Sequence, residues 1–275
     1  MTQLFNRKVA VEVGALRVED LRVAFKVEKT AKVDLNTAEV QIYNLAEQTR
    51  RAIQTKHAPV RLIVGYGGEL EMIFSGDVEK VTHTKNGTDW VSKVVADDGA
   101  VAARTKRLAK GYGAATKAEV VLVDAIKAAG LALGNAMEAM KTATKTGTTV
   151  ALNEYAKGFA VAGQAVDVAA KIARSQGYDF SIQNGTAQLV RRNGVVDNVH
   201  VMVLSEGTGL IGTPEVGEKG VIKARALIRQ RLIPGHKVRL ESKVATGFFR
   251  VNKTTFTGDT HGTDWYAELE LQVLK

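Results

Sequence analysis

Residues 80–90 read KVTHTKNGTDW, and residues 253–265 read KTTFTGDTHGTDW. In each, a strand-like run crosses a turn containing Gly-Thr-Asp and restarts at a tryptophan. The tetrapeptide GTDW stands at 87–90 and again at 262–265, and both tryptophans of the chain fall in it. Beyond the second copy the chain alternates. Trp265, Ala267, Leu269 and Leu271 share one face, and Tyr266, Glu268, Glu270 and Gln272 share the other. Period-two alternation marks a half-buried antiparallel strand, and Asn86-Gly87 is a strong hairpin signal. Matching residues in matching context imply two related β segments, one towards each end of the chain, around a middle of different character.

The same echo settles the reading of Asp259, His261 and Asp264, which crowd into six residues. Asp89 and Asp264 hold one position relative to Trp90 and Trp265. A carboxylate there can accept backbone N–H groups and hold a turn, while the tryptophan packs under the sheet. His261 has no counterpart in the first copy. Acid/base catalysis needs paired groups in a pocket with tuned pKa values, and a metal needs three or four converging ligands. One hairpin supplies neither, so turn chemistry is the reading.

Working outward, the first hundred residues are strand-like. Lys8–Val13, Leu21–Val27 and Lys32–Tyr43 alternate, as do Pro59–Val64, Leu70–Phe74, Asp77–Thr84 and Trp90–Val95. A short helix is expected over Asn44–Gln54, with Asn44 as N-cap and Glu47 as its capping-box partner. Residues 99–115, GAVAARTKRLAKGYGAA, change character and read as a basic helix ending at glycines. Helix is also expected within Ala118–Met140 and Gly158–Ser175, with a loop at 142–149 and a small hairpin turning at Asn184-Gly185. From Val201 the strand pattern returns, although Gly220–Ile228 fits helix or strand. The expected architecture is mainly β with an α/β insert: two related antiparallel β-barrel domains, 1–98 and 201–275, flanking a small α+β domain at 99–200.

The 275 residues suffice for a core without staples, and the absence of cysteine excludes disulfides and thiolate metal sites and fits a reducing compartment. The N-terminal stretch MTQLFNRKVAVEVGALRVED lacks the apolar run of a signal peptide. The longest uncharged stretch, AAGLALGNAM at 128–137, falls short of the roughly 20 apolar residues of a membrane span, so a soluble chain without a membrane partner is expected. Net charge is +9, and the middle third holds 13 basic against 7 acidic residues. RTKRLAK at 104–110 has four positive charges and the stretch 223–239 has six, but aromatic platforms for nucleic acid are nearly missing beside them. A solvated face, an acidic protein partner or a channel wall fits them better. GTPEVGEK at 212–219 has phosphate-loop glycine spacing with Glu218 where lysine is required. HExxH and GxSxG are lacking, and the five histidines are scattered. No catalytic, cofactor or metal residue is assigned.

Three stretches nevertheless resemble one family. VQIYNLAEQTRRAIQ at 40–54, VRLIVGYGGELEMIFSGDVEKV at 60–81 with its FSGD turn, and GFFRVNKTTFTGDTHGTDWYAELEL at 247–271 are similar to segments of the baseplate hub family of contractile and related long-tailed bacteriophages. The resemblance covers both ends of the chain and is weak across 100–200. It implies a non-enzymatic virion component of the tail baseplate, made in the bacterial host cytoplasm. It further implies a homotrimer whose six tube-like domains adapt a six-fold tail tube to a three-fold central spike. Implied partners are the tail tube protein, the spike protein, baseplate wedge or outer hub proteins, and DNA passing without sequence specificity. Interface or turn candidates are Asp89, Trp90, Asp264 and Trp265 in the hairpins, and Arg104, Lys106 and Arg107 on the basic segment. Three other readings compete. A carbohydrate- or ligand-binding β-rich tail module needs tryptophans exposed in a groove. A tail-associated hydrolase needs a carboxylate pair or a zinc constellation. A tube protein proper needs a single barrel.

Overall fold

The computed structural model describes residues 6–33, 35–99, 105–139, 154–196 and 200–274. The chain divides into two compact units, one drawn from Met1–Thr30, Asn36–Asp98 and His200–Leu274, the other from Ala31–Leu35 and Gly99–Val199.

The first unit begins with strands β1 (Arg7–Val13), β2 (Leu16–Val18), β3 (Val23–Thr30) and β4 (Asn36–Tyr43). Helix α1 (Glu47–Ala52), β5 (Pro59–Tyr66), β6 (Glu69–Asn86) and β7 (Asp89–Asp98) follow. The second unit holds β8 (Arg107–Tyr112), β9 (Thr116–Lys117), α2 (Ala118–Ala129), β10 (Glu154–Tyr155), β11 (Phe159–Gln164), α3 (Ala165–Ser175), β12 (Tyr178–Gln183) and β13 (Thr186–Arg191). The chain then returns to the first unit as β14 (Met202–Leu204), β15 (Leu210–Val216), β16 (Val221–Ala226), β17 (Lys237–Glu241), β18 (Thr246–Asp259) and β19 (Trp265–Val273).

Among the described residues, the thirteen strands of the first unit form one sheet in the order β15-β16-β19-β18-β3-β4-β7-β6-β5-β1-β2, with β17 and then β14 branching from β18. This overturns the expected pair of β-barrels. A barrel closes only when its first and last strands bond to each other. Here β15 bonds only β16 and β2 bonds only β1, while β18–β3 pairing fuses the two chain ends into one open sheet. The mainly β character with an α/β insert stands.

Within that sheet a five-strand pattern occurs twice. Strands β3 to β7 lie in the order β3-β4-β7-β6-β5, and β15 to β19 lie as β15-β16-β19-β18-β17. The match extends to register. Adding 173 to each β6 number and 175 to each β7 number turns the pairs from Val78↔Ala96 to Lys85↔Trp90 into those from Val251↔Leu271 to Gly258↔Trp265. Both ladders slip at the same place, between Val78 and Lys80 and between Val251 and Lys253. Each slip is a bulge that leaves one extra residue, Glu79 or Asn252, and bends its strand. The sequence echo at GTDW is the short visible part of this longer correspondence.

Strand β6 is a single strand of 18 residues, where the sequence pattern suggested two. Its first half pairs with β5 and its second half with β7, and Asp77 faces Pro59 on one side and Asp97 on the other. The crossing falls in the FSGD segment. A Cβ placed on Gly76 would lie 2.4 Å from the Asp97 carbonyl oxygen and 2.9 Å from the Phe74 ring, so glycine is required for the two backbones to approach.

The core of this unit runs through alternate residues of both repeats, among them Val27, Val40, Leu62, Phe74, Val94, Phe256 and Leu269. Burying such a side chain contributes about 1.5–3 kcal/mol. A polar cluster is sealed at the ends of β3, β4 and β7. Asn36 donates its backbone N–H (3.1 Å) and Nδ2 (2.9 Å) to the Asp98 carboxylate and accepts the Thr30 N–H at 2.8 Å. Lys29 is wholly buried beside it, and burial pulls its ammonium down to about 8 against the favourable charge of Asp98.

In the second unit, β8 pairs antiparallel with β11 and β12 with β13, and α2 and α3 contribute Val121, Leu122, Ile126, Ala169 and Ile172 to a separate core. Two expectations fail here. RTKRLAK is not a helix from Arg107 onward but strand β8, with Leu108 and Tyr112 buried. Part of the expected second helix, Phe159–Gln164, is its partner strand. Helix α2 ends at Gly130, whose φ of 75° forms a left-handed C-cap. Gly220–Ile228, open in the sequence, contains strand β16.

Candidate assembly interface

The first GTDW hairpin closes tightly. Asn86 pairs with Asp89, and Gly87 has a φ of 61°, as a two-residue loop requires. The hairpin is fastened by Asn44, which does not cap α1 as expected. That helix has Ala46 at its N-cap with no side-chain bond. Instead Asn44 takes a left-handed φ of 57° and faces across to β7. Its Nδ2 donates to Asp89 at 2.9 Å, its Oδ1 accepts the Trp90 N–H at 3.0 Å, and its own N–H reaches the Trp90 carbonyl at 2.7 Å. Asn→Ala at this position loses both side-chain bonds and forces alanine into a left-handed conformation, at about 1 kcal/mol for each effect. The expected outcome in urea denaturation is a loss of about 2 kcal/mol, of which Asn44→Gly recovers the backbone part.

Trp90 lies on the same face of β7 as Ser92, Val94 and Ala96, yet the residue is 36% exposed. The Arg50 guanidinium, 4.3 Å from the ring centroid, is stacked on it. Behind it, His83 sits between the Ser92 hydroxyl (2.9 Å) and the Arg50 carbonyl (3.0 Å), and burial pushes its imidazole below the ordinary value.

The second hairpin is anchored differently. The turn carboxylate is Asp259 rather than Asp264: its Oδ1 accepts the His261 N–H at 2.9 Å. Arg22 bonds both its oxygens, at 3.3 and 2.8 Å. Burial works to raise this carboxyl, but Arg22 and the N–H groups of His261 and Gly262 outweigh burial and hold it below the usual range. Arg7 donates to the Gly262 carbonyl at 2.9 Å. Trp265 is 4% exposed, edge-on to Phe25 at 5.5 Å and to Tyr66 at 6.2 Å. Phe25 crosses over Gly258, where a Cβ would meet its ring at 2.4 Å. The equivalent tryptophans thus differ in their cover: Phe25 of β3, the strand on the far side of β18, packs on Trp265, whereas among the described residues no strand lies on the corresponding far side of β6.

Asp264 is exposed, as is Lys106, whose carbonyl accepts the Ala165 N–H at 2.9 Å. Arg107 is exposed at the start of β8. Arg104 lies outside the described residues. The structure gathers the four hairpin candidates into the sheet unit and places Lys106 and Arg107 in the other. Sequence reasoning missed Asn44 and Arg22 as anchors of the hairpins because each is remote in sequence from the carboxylate it bonds, and it passed over Asp259, which holds the His261 N–H from within the same turn. Among the described residues, no group of three or more histidines and carboxylates could hold a metal ion, and no helix is long and apolar enough to cross a membrane.

A family model described as Baseplate hub gp41 matches residues 7–270. Solved structures share the fold along nearly the whole chain. A 43 kDa tail protein of prophage MuSo2 from Shewanella oneidensis is 8% identical with a TM-score of 0.62, over 96% of this chain and 97% of its own. A tail protein from Neisseria meningitidis is 12% identical with a TM-score of 0.63, over 98% and 97%. The E. coli c3393 protein is described as a type VI secretion component with structural similarity to the T4 tail proteins gp27 and gp5. It is 8% identical with a TM-score of 0.60, over 96% and 77%. No curated protein matches the chain.

Proposed function

The chain belongs to the Baseplate hub gp41 family, and from that premise we propose that three copies form a ring joining a six-fold tail tube to a three-fold central spike. The protein is a structural component of a tail baseplate and not an enzyme. What supports the finer reading is the duplication, matched residue for residue between β6–β7 and β18–β19. Three chains so built offer six equivalent five-strand faces while keeping three-fold symmetry elsewhere. In this reading the segments 1–98 and 201–275 supply the repeated faces, and 99–200, with Lys106 and Arg107, meets wedge or outer hub proteins. The surplus positive charge gives DNA in the lumen a contact independent of sequence.

The test is the copy number and position of the chain in imaged tails. Three copies at the junction of tube and spike are expected. Six copies, copies repeated along the tube, or copies off the tail axis would refute the ring.

A further inference from the structure

The internal repeat leaves one position filled in one copy and vacant in the other. Strand β18 pairs with β19 along one side. On its opposite side it pairs with β17 at residues 246–250 and with β3 at residues 253–259. Its equivalent, β6, has β7 along one side and β5 opposite, but β5 pairs only with residues 69–77. Among the described residues, the side of Lys80–Asn86 that corresponds to the β3 site has no strand. The equivalent of β3 itself is β15, since Val23↔Ile42 and Val27↔Ala38 correspond to Leu210↔Ala226 and Val216↔Ile222. Strand β15 is the free edge at the other end of the sheet. One molecule therefore presents both halves of a contact it makes once internally.

We propose that β15 of one copy pairs antiparallel with the Lys80–Asn86 edge of β6 in the next copy, in the register that β3 uses on β18. The inference rests on the ring reading and names the contact that builds it. Three exposures single out this contact. Val27 is fully buried opposite Phe256, whereas Val216 in the equivalent place is 59% exposed. Ile211, on the same edge, is 37% exposed. Trp265 is covered by Phe25 of β3, while Trp90, lacking that strand, is 36% exposed. Transferring the register places Val216 opposite His83, Glu215 opposite Thr84 and Ile211 opposite Asn86. The two-residue excess of the β15 bulge, between Ile211 and Glu215, contains Pro214, so the missing N–H falls where the ladder is already interrupted. Glu215 and Glu218 follow one edge and Lys80 and Lys85 the other, which favours the unlike edges meeting and opposes two identical edges pairing. Unlike edges give a head-to-tail contact, the kind that closes into a ring.

The lack of native cysteines makes the test direct. In the full chain, the pair Glu215→Cys with Thr84→Cys marks the proposed contact, and Lys26→Cys with Thr257→Cys marks its internal equivalent. Opposed residues of an antiparallel ladder lie within disulfide reach. On mild oxidation, the first pair is expected to shift the denatured chain from monomer to covalent dimer and trimer, and the second to close within one chain. A mixture of the two single variants E215C and T84C should give dimers, while each single variant alone should not. The copy number of the unmodified chain is measured alongside by native mass spectrometry. Trimers whose E215C/T84C chains stay unlinked, while the internal control closes, overturn this contact and leave the ring reading intact. Covalent multimers in a preparation of other than three copies support the contact and overturn the three-copy reading. Monomers with no cross-link overturn both.

Discussion

Gly76→Val is expected to unfold the larger unit or weaken it by about 3 kcal/mol or more, far beyond what a surface glycine in a strand costs. The reason is geometric. At Gly76, β6 leaves β5 and takes up β7, and an added Cβ would stand 2.4 Å from the Asp97 carbonyl oxygen and 2.8 Å from the carbonyl carbon. These are backbone atoms in a paired strand, so no rotamer relieves the overlap. Valine's preference for strands acts in the opposite direction but spans only about 1 kcal/mol. Gly68 lies a few residues earlier in the turn before β6, where an added Cβ meets nothing within 4 Å, and Gly68→Ala serves as the control. Thermal unfolding monitored by circular dichroism should separate the two variants. Near-identical melting temperatures would sink the close-approach account of the FSGD segment.

The second large effect concerns pH. Lys29 releases its proton at about 8 in the folded chain, because burial disfavours its charge, and at about 10.4 when unfolded. Between those values the unfolded chain holds more protons, so stability rises with pH across that window. Below pH 8 the lysine is charged in both states and the full cost of its burial is present. A shift of this size corresponds to about 3 kcal/mol. Lys29→Met removes the titration while keeping the length of the side chain. The unfolding free energy of the native chain minus that of K29M should therefore grow by about 3 kcal/mol between pH 7.5 and 10.5, measured in urea. Taking the difference cancels the other lysines and tyrosines. Parallel pH profiles for the two proteins would place the Lys29 proton at its ordinary value.

What the sequence made legible is what short-range periodicity encodes. The alternation of Trp265–Leu271 and the Asn86-Gly87 turn are local signals, and the strands stand where they point. The GTDW echo identified two hairpins that prove equivalent over a much longer ladder. Features set by distant partners were not legible. Arg107–Tyr112 reads as basic helix because alanine, leucine and lysine favour helices. It becomes a strand because Phe159–Gln164, some fifty residues on, pairs with it. Asn44, three residues before Glu47, matches a capping box, yet a cross-strand bond to Trp90 wins it. Closure of a barrel depends on whether the outermost strands meet, and no local pattern in β15 or β2 records that. The turn role assigned to Asp264 belongs to Asp259, because Arg22, brought in by β3, fixes the carboxylate on that side of the loop.

The two bulges, at Glu79 and Asn252, have a consequence for manufacturing tolerance. In the proposed ring each chain contributes two equivalent bends, and any angular error in one bend recurs with every subunit added. A closed circle cannot absorb a recurring error; it opens into a spiral or fails to join. Two such kinks at identical rungs keep successive segments of the circumference alike, whether the joint between them lies within one polypeptide or between two.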